Sequence, residues 1–134
     1  ASTTSGHLGA FVDVLPTVCD LAQVEAPASD GLSLVPTLTG KFGQKVHEFL
    51  YWEFYERGFD QAVRMGNHKG VRHGRGGKIE VYDLTLDPAE SRDLAAEHPD
   101  LAKRLGSAMD QAHVPSPDWP QKQPARKAAK SPAK

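Results

Sequence analysis

The sequence is short of the features that would fix a function at once. It has a single cysteine, Cys19, in 134 residues. An internal disulfide framework is therefore excluded, and one cysteine does not report a redox compartment. No apolar run approaches the roughly 18 residues of a membrane span, and no secretory leader pattern is visible. Neither sign of charge is in excess: 16 basic residues stand against 17 acidic ones, for a formal net charge of −1. Nothing global argues for nucleic acid or an anionic membrane as a partner. Aromatic residues make up only 7% of the chain, yet they crowd between Phe49 and Phe59 beside Glu and Arg. The start, "ASTTSG", has no initiator Met and reads as interior sequence, so a fragment of a longer protein is expected.

What is present has the length of one domain and the apolar content to bury one modest core. Residues 1–10 are small and polar, and a flexible start is expected there. "DVLPTVCDLA" has Leu15, Val18, Cys19 and Ala22 at i, i+3, i+4 and i+7, the pattern of an amphipathic helix. Asp13 stands as its N-cap, Pro16 fits its first turn, and Cys19 is expected as a buried packing residue. "LSLVPTLTG" predicts a short helical turn that ends at Gly40. From Phe49 the period changes to two. Leu50, Trp52 and Phe54 share one face, expected as core, and Phe49, Tyr51, Glu53 and Tyr55 share the other. "QAVRM" and "KGVRH" flank Gly66-Asn67, a hairpin turn, and "KIEVYDL" follows "GRGG". Residues 48–84 thus predict a four-stranded antiparallel meander. Pro99 at N1 opens a helix whose apolar stripe is Leu101, Leu105, Ala108 and Ala112. The expected fold is α+β, a four-stranded antiparallel sheet with a packed carboxy-terminal helix, preceded by an amino-terminal helix. Its ordered part is expected over 11–117, and 118–134 reads as a disordered basic tail of Pro, Ala and Lys.

Catalytic patterns are absent. Nucleophilic catalysis needs a nucleophile beside a base, and Cys19 has none in its surroundings. "HGRGGK" lies between two strands and lacks the strand–turn–helix setting of a phosphate cradle. His47, His68 and His73 fall near strand ends without zinc spacing or a carboxylate triad, so no metal is expected. Asp83, Asp87, Glu90 and Asp93 cluster around "YDLTLDPAESRD", where carboxylates cap turn N–H groups.

The order of the pieces says more than any one of them. "FVDVLPTVCDLA", "DGLSLVPTLTG", "HEFLYWEF", "AVRMGNHKGVR" and "KIEVYDLTLDPAESRDL" together resemble the carboxy-terminal third of sulfatases of the arylsulfatase type, in the alkaline-phosphatase superfamily. Matching positions include Asp13, Pro16, Thr17, Asp30, Gly31, Arg64, Gly66, Lys69, Tyr82, Asp83, Asp87, Pro88 and Glu90. Two departures stand out: His68 replaces an aromatic residue and Asp93 an asparagine. The resemblance implies a parent enzyme that hydrolyses aryl or carbohydrate sulfate esters. It also implies calcium and a formylglycine, made from Cys or Ser in a C/S-x-P-x-R motif, both in an amino-terminal domain upstream of this chain. Cys19 is followed by Asp-Leu-Ala-Gln, not that motif, and "KQPAR" at 122–126 puts Lys122 in the nucleophile's place. The chain alone is then expected to be inactive, with its own amino-terminal catalytic domain as partner. Within it, Glu53, Tyr55, Glu56 and Arg57 are expected to rim the substrate pocket. Periplasmic or secreted placement would follow for a bacterial sulfatase. A free-standing sulfated-glycan-binding module and a piece of a phosphate or phosphonate ester hydrolase are the competing readings.

Overall fold

The computed structural model describes residues 4–56 and 58–118. Residues 1–3, Arg57 and the expected basic tail beyond Asp118 lie outside them. A 3-10 turn at Phe11–Asp13 leads into helix α1, Val14–Leu21, and α2 follows at Val35–Thr39. Gly40 ends α2 in the left-handed region, as the sequence predicts. Four strands come next: β1 Leu50–Phe54, β2 Asp60–Met65, β3 His68–Arg72 and β4 Ile79–Asp83. They form the expected antiparallel meander in the order β1-β2-β3-β4. Helix α3, Pro99–Ala112, crosses one face.

The face that α3 chose follows from the register. Tyr51, Val63, Gly70 and Val81 form one rung across the sheet. Val63 and Val81 flank a glycine, which leaves a slot. Leu105 and Met109 fill it, and both are fully buried. A Cβ on Gly70 would stand 3.0 Å from Leu105 Cβ and 3.2 Å from Met109 Cε. The next rung, Trp52, Ala62, Val71 and Glu80, faces the other way, beside Lys69 and its ion-pair partner Glu90. Seating a helix there would desolvate those charges, which is costly without new partners. The expected core of Leu50, Trp52 and Phe54 is therefore corrected. Leu50 is buried on the face away from α3, but Trp52 is 43% and Phe54 50% exposed. The amphipathic side of β1 took the helix instead, with Phe49 and Tyr51 packed against the core.

Two further expectations change. Met109 is a core residue of α3 that the predicted stripe omitted. Cys19 is only partly buried, because the apolar side of α1 is left largely uncovered by the described residues. That helix packs on its preceding turn and on α2. Gly106, inside α3, weakens the helix by about 1 kcal/mol relative to Ala.

The Gly70 slot makes a size prediction. Gly70→Val should destabilise the chain by about 1–3 kcal/mol through overpacking, and Leu105→Ala by about 2–5 kcal/mol through the cavity it leaves. Urea unfolding followed by circular dichroism checks both. A near-neutral Gly70→Val would mean that α3 does not sit this close to the sheet.

Candidate functional site

The aromatic cluster that the sequence marks as a pocket rim is built by strand alternation. Tyr51, Glu53 and Tyr55 stand at i, i+2 and i+4 and so point to one side, toward the end of α3. The hydroxyls of Tyr51 and Tyr55 each donate to the Glu53 carboxylate. His113, at the C-cap of α3, places Nδ1 2.5 Å from Glu53 Oε1. Phe59 closes the cluster, with its ring 5.4 Å from Tyr55 and 5.2 Å from His113 between centroids. The network continues across the sheet. Gln61 Nε2 donates to the Tyr51 hydroxyl at 2.5 Å, Arg72 Nε donates to Gln61 Oε1 at 2.8 Å, and Arg72 also reaches Asp110 at 2.7 Å.

The Glu53 side chain is only 15% exposed. Burial alone would push its pKa up, but the two tyrosine hydroxyls and His113 outweigh that and hold it below the ordinary carboxylate value. Burial and the neighbouring Glu53 carboxylate push the Tyr51 phenol far up. Of the four sequence-marked residues, the structure thus brings Glu53 and Tyr55 together and spends them on each other. Glu56 is exposed in the turn that follows β1. Tyr51, Gln61 and His113 were missed as members of this cluster. The Tyr-x-Glu-x-Tyr alternation was a usable signal for the first of them.

A second polar joint organises the amino-terminal segment. Asp13 is fully buried. It occupies the N-cap position of α1 but makes no side-chain capping bond there. Its carboxylate instead accepts the N–H of Ala10 at 2.8 Å and of Leu32 at 2.7 Å, and it pairs with His47 Nε2 at 2.7 Å. Burial opposes the charge, while the Leu32 and Ala10 N–H groups and His47 favour it and leave the pKa lowered. Thr17 adds a link, accepting from the Leu34 N–H at 2.9 Å. The acidic turn after β4 behaves as the sequence suggests. Asp87 caps Ser91 and Arg92, and Asp93 accepts from Val81 and Ala95. Glu90 differs, because it forms an ion pair with Lys69 at 2.6 Å.

Among the described residues, no group of three or more His, Cys, Asp or Glu stands close enough to hold an ion. His47 is committed to Asp13, and His73 lies 3.4 Å from Asp60. The apolar residues of α1 and of the turn before it are about half or more exposed among the described residues. Phe11 is 88% exposed, and Val14, Leu15, Val18 and Leu21 are each about half exposed.

Residues 1–114 match the family model described as N-sulphoglucosamine sulphohydrolase, C-terminal. The chain belongs to this sulfatase family. A Delta 4,5-hexuronate-2-O-sulfatase of Bacteroides thetaiotaomicron is 36% identical over 92 residues, covering 64% of this chain and 19% of the relative. An N-acetylglucosamine-6-O-sulfatase of the same organism is 29% identical over 125 residues, covering 83% of the chain and 22% of that protein. The solved structure of a 2-O GAG sulfatase superposes with a TM-score of 0.66 at 33% identity, over 74% of this chain and 23% of that one. A sulfatase solved in complex with its substrate D-glucosamine-2-N,6-O-disulfate gives a TM-score of 0.61 at 27% identity, over 74% and 22%. This sulfatase domain therefore spans about a fifth of the length of the curated relatives it matches.

The depressed Glu53 carboxylate gives a signed pH prediction. A group whose folded pKa is lowered contributes stability that is present above its unfolded value, 4.5 for Glu, and lost as pH falls through the folded pKa. Glu53→Gln should lower stability at neutral pH and flatten the loss of stability on acidification below that value. Urea midpoints measured from pH 7 down to about pH 3 check this. An acid limb as steep as that of the unaltered chain would show that the Glu53 cluster does not form.

Proposed function

We propose that this sulfatase domain is the carboxy-terminal part of an enzyme that hydrolyses carbohydrate or aryl sulfate esters. In this reading it docks on the parent's amino-terminal catalytic domain through the uncovered side of α1. The loop carrying Glu53, Tyr55, Glu56 and Arg57 then rims the substrate pocket. The single observation that carries the reading is an amphipathic helix whose apolar residues stay about half exposed among the described residues, in a chain that matches only about a fifth of each relative. An apolar helix face of this kind marks an interface when it stays exposed. It also counts against a free-standing glycan-binding module, which would need a closed polar surface. Carbohydrate sulfate as the substrate class is supported by the relatives, two of which act on amino-sugar sulfates by name.

The residues present do not fit the family's catalytic groups. Cys19 lacks the C/S-x-P-x-R context, and Asp87 and Asp93 are spent on backbone N–H groups. In this reading calcium and formylglycine are held by the part of the parent outside this chain. The rim acts by shape. Glu53 and Tyr55 fix the start of the loop, and in this reading Glu56 and Arg57 meet sugar hydroxyls or sulfate.

Two measurements test the reading. The parent protein, carrying its amino-terminal part, should turn over a glucosamine sulfate, and the 134-residue chain alone should not. Turnover by the chain alone, or a parent that prefers a phosphate ester, would overturn it. Leu15→Glu with Val18→Glu should leave the isolated chain's circular dichroism unchanged, because both side chains are exposed. The same pair should weaken association with the separately produced amino-terminal part by at least about tenfold, since apolar burial at each site is worth ~1.5–3 kcal/mol. Unchanged association would place the interface elsewhere.

A further inference from the structure

One polar rung crosses the α3 face of the sheet beside the core. Glu53 of β1 stands opposite Gln61 of β2, and Gln61 stands opposite Arg72 of β3. Gln61 is only 2% exposed, so its amide needs partners inside the protein. Arg72 donates to Gln61 Oε1 from Nε at 2.8 Å and from Nη2 at 2.5 Å. Gln61 Nε2 donates to the Tyr51 hydroxyl at 2.5 Å, and that hydroxyl donates to Glu53 Oε1. Helix α3 meets both ends of the rung, with Asp110 2.7 Å from Arg72 and His113 Nδ1 2.5 Å from Glu53 Oε1.

The chain of bonds can run in one direction only. A guanidinium has donors and no acceptor, and an ionised carboxylate has acceptors and no donor. Every member between Arg72 and Glu53 must therefore accept on one side and donate on the other. An amide does this with two different atoms, and its oxygen has to face Arg72. Turning the amide round would set its NH2 against the guanidinium and take the donor away from Tyr51.

The consequence falls on the loop after β1. Glu53 Oε1 receives both Tyr51 and His113, which keeps the carboxylate from rotating. Oε2 then stays aimed at the Tyr55 hydroxyl. Tyr55 opens the loop, and the Gly58 N–H turns back to its carbonyl at 3.4 Å. The Tyr55 ring packs on Phe59, which ends the loop and is only 8% exposed. Gln61 thus acts on both ends of the loop through Tyr51 and Glu53.

We propose that Gln61 is a positioning residue for the substrate rim, its amide setting the direction of the bonds that hold the 55–59 loop in one arrangement. The positioning rests on the hydrogen bonds above, whereas its use for a substrate rests on the function proposed for this domain.

NMR of the full 134-residue chain tests the positioning. Gln61→Glu keeps the shape of the side chain and an acceptor for Arg72, but once ionised it has no hydrogen for Tyr51. The amide signals of Tyr55, Gly58 and Phe59 should shift at neutral pH, while those of Val63 and Val81 in the core hold. When the introduced carboxyl takes up a proton, which its own carbon signal reports, its O–H can donate to Tyr51 again and the loop signals should return. Burial and the Glu53 charge favour that protonation, and Arg72 opposes it. Tyr51→Phe breaks the next link with the ring kept. It should shift the same three signals at every pH, and it decides the matter alone if Gln61→Glu does not fold. Loop signals that stay in place in either variant, or that fail to return on protonation, would overturn the role of Gln61. In the parent, Gln61→Glu should raise KM for a glucosamine sulfate about tenfold at neutral pH with kcat held, as lost binding does. A loop that moves with no change in KM would overturn the rim reading instead, so the two fail separately.

Discussion

Gly70 leaves a slot in the middle of the sheet, and Leu105 and Met109 of α3 fill it. Most other placements follow from that seat. It fixes which face of the meander is dry, and so decides the fate of every alternating side chain on β1. Tyr51 goes under the helix, and Glu53 follows two residues later near the helix's end. There the carboxylate meets His113, which it would not reach if α3 lay on the opposite face. Lys69, Glu80 and Glu90 go to the outer side, where water and ion pairing satisfy them. One missing Cβ thus sets which face of the sheet the helix covers.

The amino-terminal segment obeys a different rule. Its apolar side chains are mostly exposed, and its buried groups are polar: Asp13 and Thr17. A segment held from inside by hydrogen bonds to a carboxylate, with its apolar side turned outward, is ordered without having a core of its own. The Asp13–His47 contact carries that order to the approach of β1, because His47 lies just before the strand. The clasp therefore couples the α1 ledge to the start of the sheet. This fits the proposed docking on a catalytic domain, since a ledge positioned relative to the sheet would set where the loop after β1 falls.

The elements were legible because local rules specify them. Period-two runs, Gly66 at the hairpin turn and Pro99 at the first position of α3 each act within a few residues. The face of β1 was not legible from β1 alone, since Leu50, Trp52 and Phe54 make as apolar a row as Phe49 and Tyr51. The other strands settle it, because Lys69 and Glu80 share the row of Leu50, Trp52 and Phe54, whereas Val63, Gly70 and Val81 share that of Tyr51. The same limit applies to the polar joints. Asp13 reads locally as a helix cap, but its partners Leu32 and His47 lie 19 and 34 residues away. Within the aromatic cluster, Tyr51, Glu53 and Tyr55 were visible as one face, and His113, 60 residues from Glu53, was not.

The carboxylates say what kind of part this is. General acid–base work at neutral pH needs a group whose pKa lies near the working pH, and burial is the usual way to raise a carboxylate toward it. Here the shifts run the other way. Asp13 and Glu53 are buried or nearly so, yet donors converge on each and lower its pKa. Asp87 is lowered too, by the Arg92 and Ser91 N–H groups. A carboxylate held this way stays charged at neutral pH and stays bonded to its donors. Three such groups, in the amino-terminal clasp, the aromatic cluster and the turn after β4, are spent on holding backbone and loops in place. That distribution fits the proposed division of labour, with the sulfate-ester chemistry in the larger part of the parent and the surface that shapes and holds the sugar in this one.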